Sequence, residues 1–174
     1  FDFDFFRPLG RSFRTELGIP ERAILFIGAD NKWKGFDQVR WLIDNTDLNF
    51  CLVMKDSISI NNDRCVTFNS VDHPTLLKII NSCSVCLCTS VMETQHLSSI
   101  EAGACGLPVI TTNVGIHYGK EGGQWGEKIP DGSSGEDVQD IILKALDSQY
   151  ETREHFIEFG YDKISCQNSW RKLL

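Results

Sequence analysis

Apolar positions along this chain follow two rhythms. Ala23–Gly28, Asn49–Met54, Cys65–Phe68, Val85–Cys88 and Pro108–Thr111 are short, largely apolar runs bounded by polar or turn residues. Runs of that length without alternation predict strands buried on both faces, as in a parallel sheet. Between them the spacing changes to three and four. Phe36, Val39, Leu42 and Ile43 predict a helix over Phe36–Asp44, and Val138, Ile141, Ile142, Ala145 and Leu146 predict another. Pro74–Ser82 predicts a helix with proline at its first position. Phe13–Leu17 reads as a short helix and Glu127–Ile129 as a last short strand. Glu151–Leu174 reads as a helical stretch interrupted at Gly160, with Trp170 near its end. Strand and helix in alternation predict an α/β fold, a Rossmann-like parallel sheet with helices on both faces.

One stretch, Val85–Gly115, carries the candidate chemistry. A strand ends at Cys88, a polar loop spans Val91–Leu97, and a helix opens at Ser98-Ser99-Ile100-Glu101 and runs through Cys105. Gly106 and Pro108 end it. In such a βαβ unit a ligand sits where the loop leaves the strand. Glu93 and Glu101, separated by seven residues, frame that loop. A carboxylate accepts two hydroxyl hydrogen bonds and so suits a sugar diol, and helix-start N–H groups suit a phosphate. For Glu101 a structural role competes, because Ser98-x-x-Glu101 fits a capping box.

The 174 residues carry a net charge of −7, which argues against nucleic acid as a partner. No apolar run reaches membrane-spanning length, no signal peptide is visible, and a cytoplasmic location is expected. Of seven cysteines, Cys51, Cys83, Cys86, Cys88 and Cys105 lie in or beside apolar stretches, as buried reduced thiols do. Cys86 and Cys88 share a strand face, but no further Cys or His pair stands at zinc-like spacing, and no metal site is expected. His73 reads as a solvent-facing residue at a helix cap and His117 as a loop residue. Ile116–Gly126, with four glycines, reads as a mobile loop beside the site. The Gly-x-Gly-x-x-Gly fingerprint is absent, which argues against a dinucleotide.

Glu93, seven residues, Glu101-Ala-Gly-Ala-Cys-Gly-Leu-Pro-Val together resemble the donor-site signature of the family 4 retaining glycosyltransferases, which have the GT-B fold. The second half is close to that family's pattern. The glycine loop of the first half is replaced by Thr94-Gln95-His96. The resemblance implies Glu93 as the catalytic candidate, in contact with the donor sugar or its phosphate. It implies Glu101 on the ribose, Lys34 of the Lys34-Gly35 pair on the diphosphate, and Val71 beside the base. Gln95, His96, Leu97 and Ser98 would bind the donor at the helix start. Ala29 stands where the family carries an arginine, so half of the phosphate clamp is missing. Lys32 is the other cation of that loop and reads as solvated. Asp2, Phe6 and Pro8 match the family's interdomain linker, which explains Asp2-x-Asp4 better than a metal motif does.

Residues 1–9 are therefore expected to be a linker remnant, and 10–174 the C-terminal nucleotide-sugar-binding domain, with an N-terminal acceptor domain absent. The implied function is transfer of a hexose or N-acetylhexosamine from a UDP- or GDP-linked donor to a glycan or lipid-linked acceptor, in cell-surface polysaccharide synthesis. No cofactor is implied, because lysine carries the charge. Peripheral membrane contact would come through the missing domain, and the isolated domain would be inactive. A nucleotide-sugar epimerase or phosphorylase half, and a non-catalytic nucleotide-binding subunit, share the same architecture and stay open.

Overall fold

The computed structural model describes residues 1–10 and 12–160. Six strands form one sheet: β1 (Ile24–Gly28), β2 (Phe50–Met54), β3 (Cys65–Asn69), β4 (Val85–Cys88), β5 (Val109–Thr111) and β6 (Gly126–Lys128). Their order is β3-β2-β1-β4-β5-β6, and every pairing is parallel. The unalternating runs follow from this. Each strand sends successive side chains to opposite faces, and both faces are covered.

Ile24, Phe26, Leu52, Met54, Val85 and Leu87 meet α2 (Phe36–Asn45) and α5 (Gly135–Asp147) on one side. Leu25, Cys51, Val53, Cys86, Cys88 and Val109 meet α3 (His73–Ile80), α4 (Leu97–Ala104) and α6 (Thr152–Glu158) on the other. The short α1 (Arg14–Leu17) precedes β1.

The helix predicted over Phe36–Asp44 buries the four residues that predicted it. α5 starts on a capping box between Ser134 and Asp137. In α3, Asp72 caps and His73 is the first helical residue, so Pro74 is the second rather than the first. The predicted continuation past Gly160, with Trp170, lies outside the described residues.

Residues 1–9 pack against this body. Phe3 and Phe6 are buried, and the Arg153 guanidinium donates to the Phe3, Phe6 and Ala104 carbonyls. Asp2 Oδ1 accepts from the Asp4 and Phe5 amides in a tight local turn.

The stretch read as a mobile loop is anchored. Its start is a 3-10 turn, Gly115–His117; His117 and Trp125 are buried with rings 4.7 Å apart, and Gly123 bridges Gly126. His117, read as a loop residue, is buried at the end of the 3-10 turn and bonds Ser99. Among the described residues, no helix is long and apolar enough to cross a membrane.

Candidate functional site

The strand order reverses between β1 and β4, and loops leaving a sheet at such a point diverge to leave a crevice. A cavity of about 580 Å³ opens there, at the carboxyl ends of β1 and β2, bounded by the loop after β4 and by α4. It brings together every residue singled out for donor contact: Lys34, Val71, Glu93, Gln95, His96, Leu97, Ser98 and Glu101 all line it.

Two loops are stitched together to build its polar end. After β1, the Asn31 side chain accepts from the Trp33 and Lys34 amides and sets a 3-10 turn, Lys32–Lys34. Gly35 follows at φ +65°. A Cβ there would lie 2.0 Å from the Thr89 carbonyl oxygen, so only glycine permits this approach. The approach lets Thr89 Oγ1 donate to the Lys34 and Gly35 carbonyls at 3.0 Å each, and lets the Val91 amide donate to Trp33. As a result the Lys34 ammonium donates directly to Glu93 Oε1. Lys32 points elsewhere, with its ammonium 4.8 Å above the Trp33 ring and outside the cavity lining.

Glu93 is part of a chain of contacts. Ser90 Oγ donates to its carboxylate at 3.0 Å and lies 3.3 Å from His96 Nε2, and His96 Nδ1 lies 3.3 Å from Ser98 Oγ. Burial alone would push the Glu93 carboxyl up. Lys34 and its other partners outweigh burial and hold it below the usual carboxylate range. His96 is buried, and burial lowers its pKa to about 4, so the ring is neutral near pH 7. Its backbone has φ +64°, a conformation glycine adopts freely and histidine does not. The absent glycine of the sequence pattern is thus a demand of the backbone, which His96 meets by burying its ring between two serines.

Glu101 corrects the sequence reading. α4 begins at Leu97 with His96 in the cap position, so Glu101 lies in the second turn, not the first. No side chain caps this helix, and the Ser98–Glu101 capping box does not form. Among the described residues the Glu101 carboxylate has no hydrogen-bond or ion-pair partner. It lines the cavity, and burial raises its pKa to about 7. An unpartnered, half-buried carboxylate is costly in itself and is the kind of group a ligand hydroxyl satisfies.

Two contributors escaped the sequence reading. Ser90, fully buried, links Glu93 to His96; a lone serine after a strand carries no signal for that. Lys55, in the polar loop read as motif-free, lines the cavity beside Val71. His73 is exposed at the start of α3, as expected, although it also touches the cavity rim. The thiols of Cys65, Cys88 and Cys105 are pushed above their usual range by burial. Among the described residues no group of three or more His, Cys, Asp or Glu is arranged to hold a metal ion.

Residues 21–148 match the family model described as glycosyl transferases group 1. No match was found among curated protein sequences. Among solved structures, sucrose-phosphate synthase from Thermosynechococcus elongatus superposes with a TM-score of 0.77 at 21% identity, over 99% of this chain and 51% of that one. Anabaena HepE, solved with UDP and glucose, superposes with a TM-score of 0.76 at 16% identity, over 99% of this chain and 55% of that one. The C-terminal domain of LpcC, a glycosyl transferase group 1 family protein from Francisella tularensis, gives 0.68 at 14% identity, over 94% and 99%. The chain thus spans about half the length of the first two and nearly all of an isolated C-terminal domain. At these identities the likeness establishes the fold, one Rossmann-like half of GT-B.

Proposed function

The chain belongs to the glycosyl transferases of group 1, and from that premise we propose that it is the donor-binding half of a retaining hexosyltransferase. Residues 10–174 form the nucleotide-sugar domain, and residues 1–9 connect it to an acceptor domain. The observation that carries this reading is the convergence of Lys34, Glu93 and Glu101 on one cavity at the switch point of a parallel sheet.

Each group has a role that its surroundings support. Glu101, unpaired and half-buried, accepts from the ribose diol. Val71 borders the base. The first N–H groups of α4, which no helix satisfies internally, meet the diphosphate near Leu97 and Ser98, with Gln95 in the preceding loop. Lys34 turns from Glu93 toward the phosphates as they enter. Glu93, held ionised, then faces the sugar.

In transfer, the bond from the anomeric carbon to the phosphate oxygen breaks and its electron pair leaves on the diphosphate. Lys34 and the helix N–H groups stabilise that developing charge. An acceptor hydroxyl, bound by the other domain, bonds to the same face of the anomeric carbon and passes its proton to the departing diphosphate oxygen. The donor is UDP- or GDP-linked, and the acceptor is a glycan or a lipid-linked sugar of a cell-surface polysaccharide. HepE, solved with UDP and glucose and with UDP-glucose, supports the choice of UDP as first probe.

Calorimetric titration of the chain with UDP and GDP tests this. Weak binding of one, without sugar transfer by the domain alone, is the expected result. No heat with either well above millimolar concentration would overturn the reading.

A further inference from the structure

The cavity presents one cation already committed and one that is not. Lys34 is paired to Glu93. Lys55, exposed at the end of β2, also lines the cavity and makes no ion pair among the described residues. Its backbone is held on both sides. The Lys55 amide donates to the Gly28 carbonyl at 2.9 Å, and Ser70 Oγ donates to the Lys55 carbonyl at 3.0 Å. Ser70 is itself fixed at φ +48°, its amide donating to Met54.

Register makes this position informative. β1 and β2 pair in parallel up to Gly28 opposite Met54, and the Lys55-to-Gly28 bond carries the ladder one residue further. Ala29 and Lys55 therefore lie side by side, about 4.8 Å apart, as neighbours on adjacent strands do. They also point the same way. Leu25, Ile27, Cys51 and Val53 face the α3 and α4 side, whereas Phe26, Leu52 and Met54 face the other. Residues 29 and 55 continue the first set, and both line the cavity. A lysine side chain, about 6 Å long, spans the gap between strands. The space that a long basic side chain at position 29 would occupy is within reach of Lys55.

We infer that Lys55 is the second cationic contact to the diphosphate of the bound nucleotide, supplying from β2 the charge that Ala29 does not supply from β1. Lys32 is no alternative, since it sits over Trp33 outside the cavity. The inference rests on the donor-site reading and assigns one further residue within it.

The test titrates UDP and uridine into the wild-type chain, Lys55→Ala, Glu101→Ala and the double variant Lys55→Ala/Ala29→Arg. Lys55→Ala is expected to weaken UDP about tenfold, the scale of a charge-assisted phosphate contact, and to leave uridine within about twofold. Ala29→Arg in that background is expected to restore UDP affinity. Lys55→Gln, with an unchanged melting temperature, guards against misfolding. If UDP affinity is unchanged in Lys55→Ala while Glu101→Ala weakens it, the assignment of Lys55 is wrong and the nucleotide site stands. If uridine weakens as much as UDP, Lys55 touches the nucleoside and the phosphate assignment is overturned. If the wild type binds neither ligand, the donor-site reading fails and takes this inference with it.

Discussion

Glu93, in the loop after β4, and Glu101, in the second turn of the helix that follows, enter one cavity, yet their surroundings push them in opposite directions. Glu93 is met by Lys34 and Ser90, and its carboxyl lies below the usual range in spite of burial. Glu101 meets no partner among the described residues, and burial raises it to about 7. The difference separates a wall that is complete before anything binds from a wall that a ligand completes. The first is held by loops stitched across the switch point. The second pays in stability for readiness to accept hydroxyls.

The comparison breaks most sharply at Gly35. Gly35→Val would force a side chain into the Thr89 carbonyl at a positive φ. It is expected to lower stability by ~2–4 kcal/mol in urea unfolding and to abolish UDP binding, because Lys34 and Glu93 lose their shared support. Unchanged binding would mean that the stitched loops are not what builds the polar end.

Exchanging the two acids should give opposite signs. Glu101→Ala is expected to weaken UDP at least tenfold and leave the melting temperature equal or higher, since a half-buried, unpaired carboxylate is removed. Glu93→Gln is expected to lower stability by ~1 kcal/mol and to tighten UDP about threefold, because Lys34 is released to the phosphates. Two changes of the same sign would remove the distinction between the acids.

The pH dependence sharpens it further. An acid whose folded pKa is raised binds its proton more tightly in the native state, so its effect on stability worsens as pH rises from about 4.5 through about 7. His96 and His117, lowered to about 4 and about 3 chiefly by burial, act the other way below pH 6.5: the unfolded chain takes up protons the native state refuses. The difference between wild type and Glu101→Gln isolates the acid. Relative to Glu101→Gln, wild-type stability should fall between pH 5 and 8 while wild-type UDP affinity rises. A flat difference in both would sink the placement of an ionising Glu101 at the ligand. Lys32→Ala should have the smallest effect, leaving UDP affinity within about twofold, because its ammonium lies over Trp33.

Much of this was legible before any coordinates. Unalternating apolar runs define strands because a parallel sheet buries both faces, and Phe36, Val39, Leu42 and Ile43 define α2 because one face meets the core. The linear phrase from Glu93 to Pro108 pointed to the cavity, since both acids and the helix start lie in one local unit. The helix boundary was less legible. Ser98 and Glu101 spell a capping box, but His96, a residue that rarely takes a positive φ, starts the helix one residue earlier. Four glycines suggested mobility after β5, whereas Trp125 and His117 bury themselves against the core.

The sequence by itself determined the elements and the segment that carries the acids, because periodicity and local spacing act over a few residues. Only the tertiary structure decided which charges meet. Lys34 finds Glu93 across 59 residues, and Lys55 comes beside Ala29, because parallel crossovers bring distant strand ends together at one edge. Spacing along the chain carries no record of that distance.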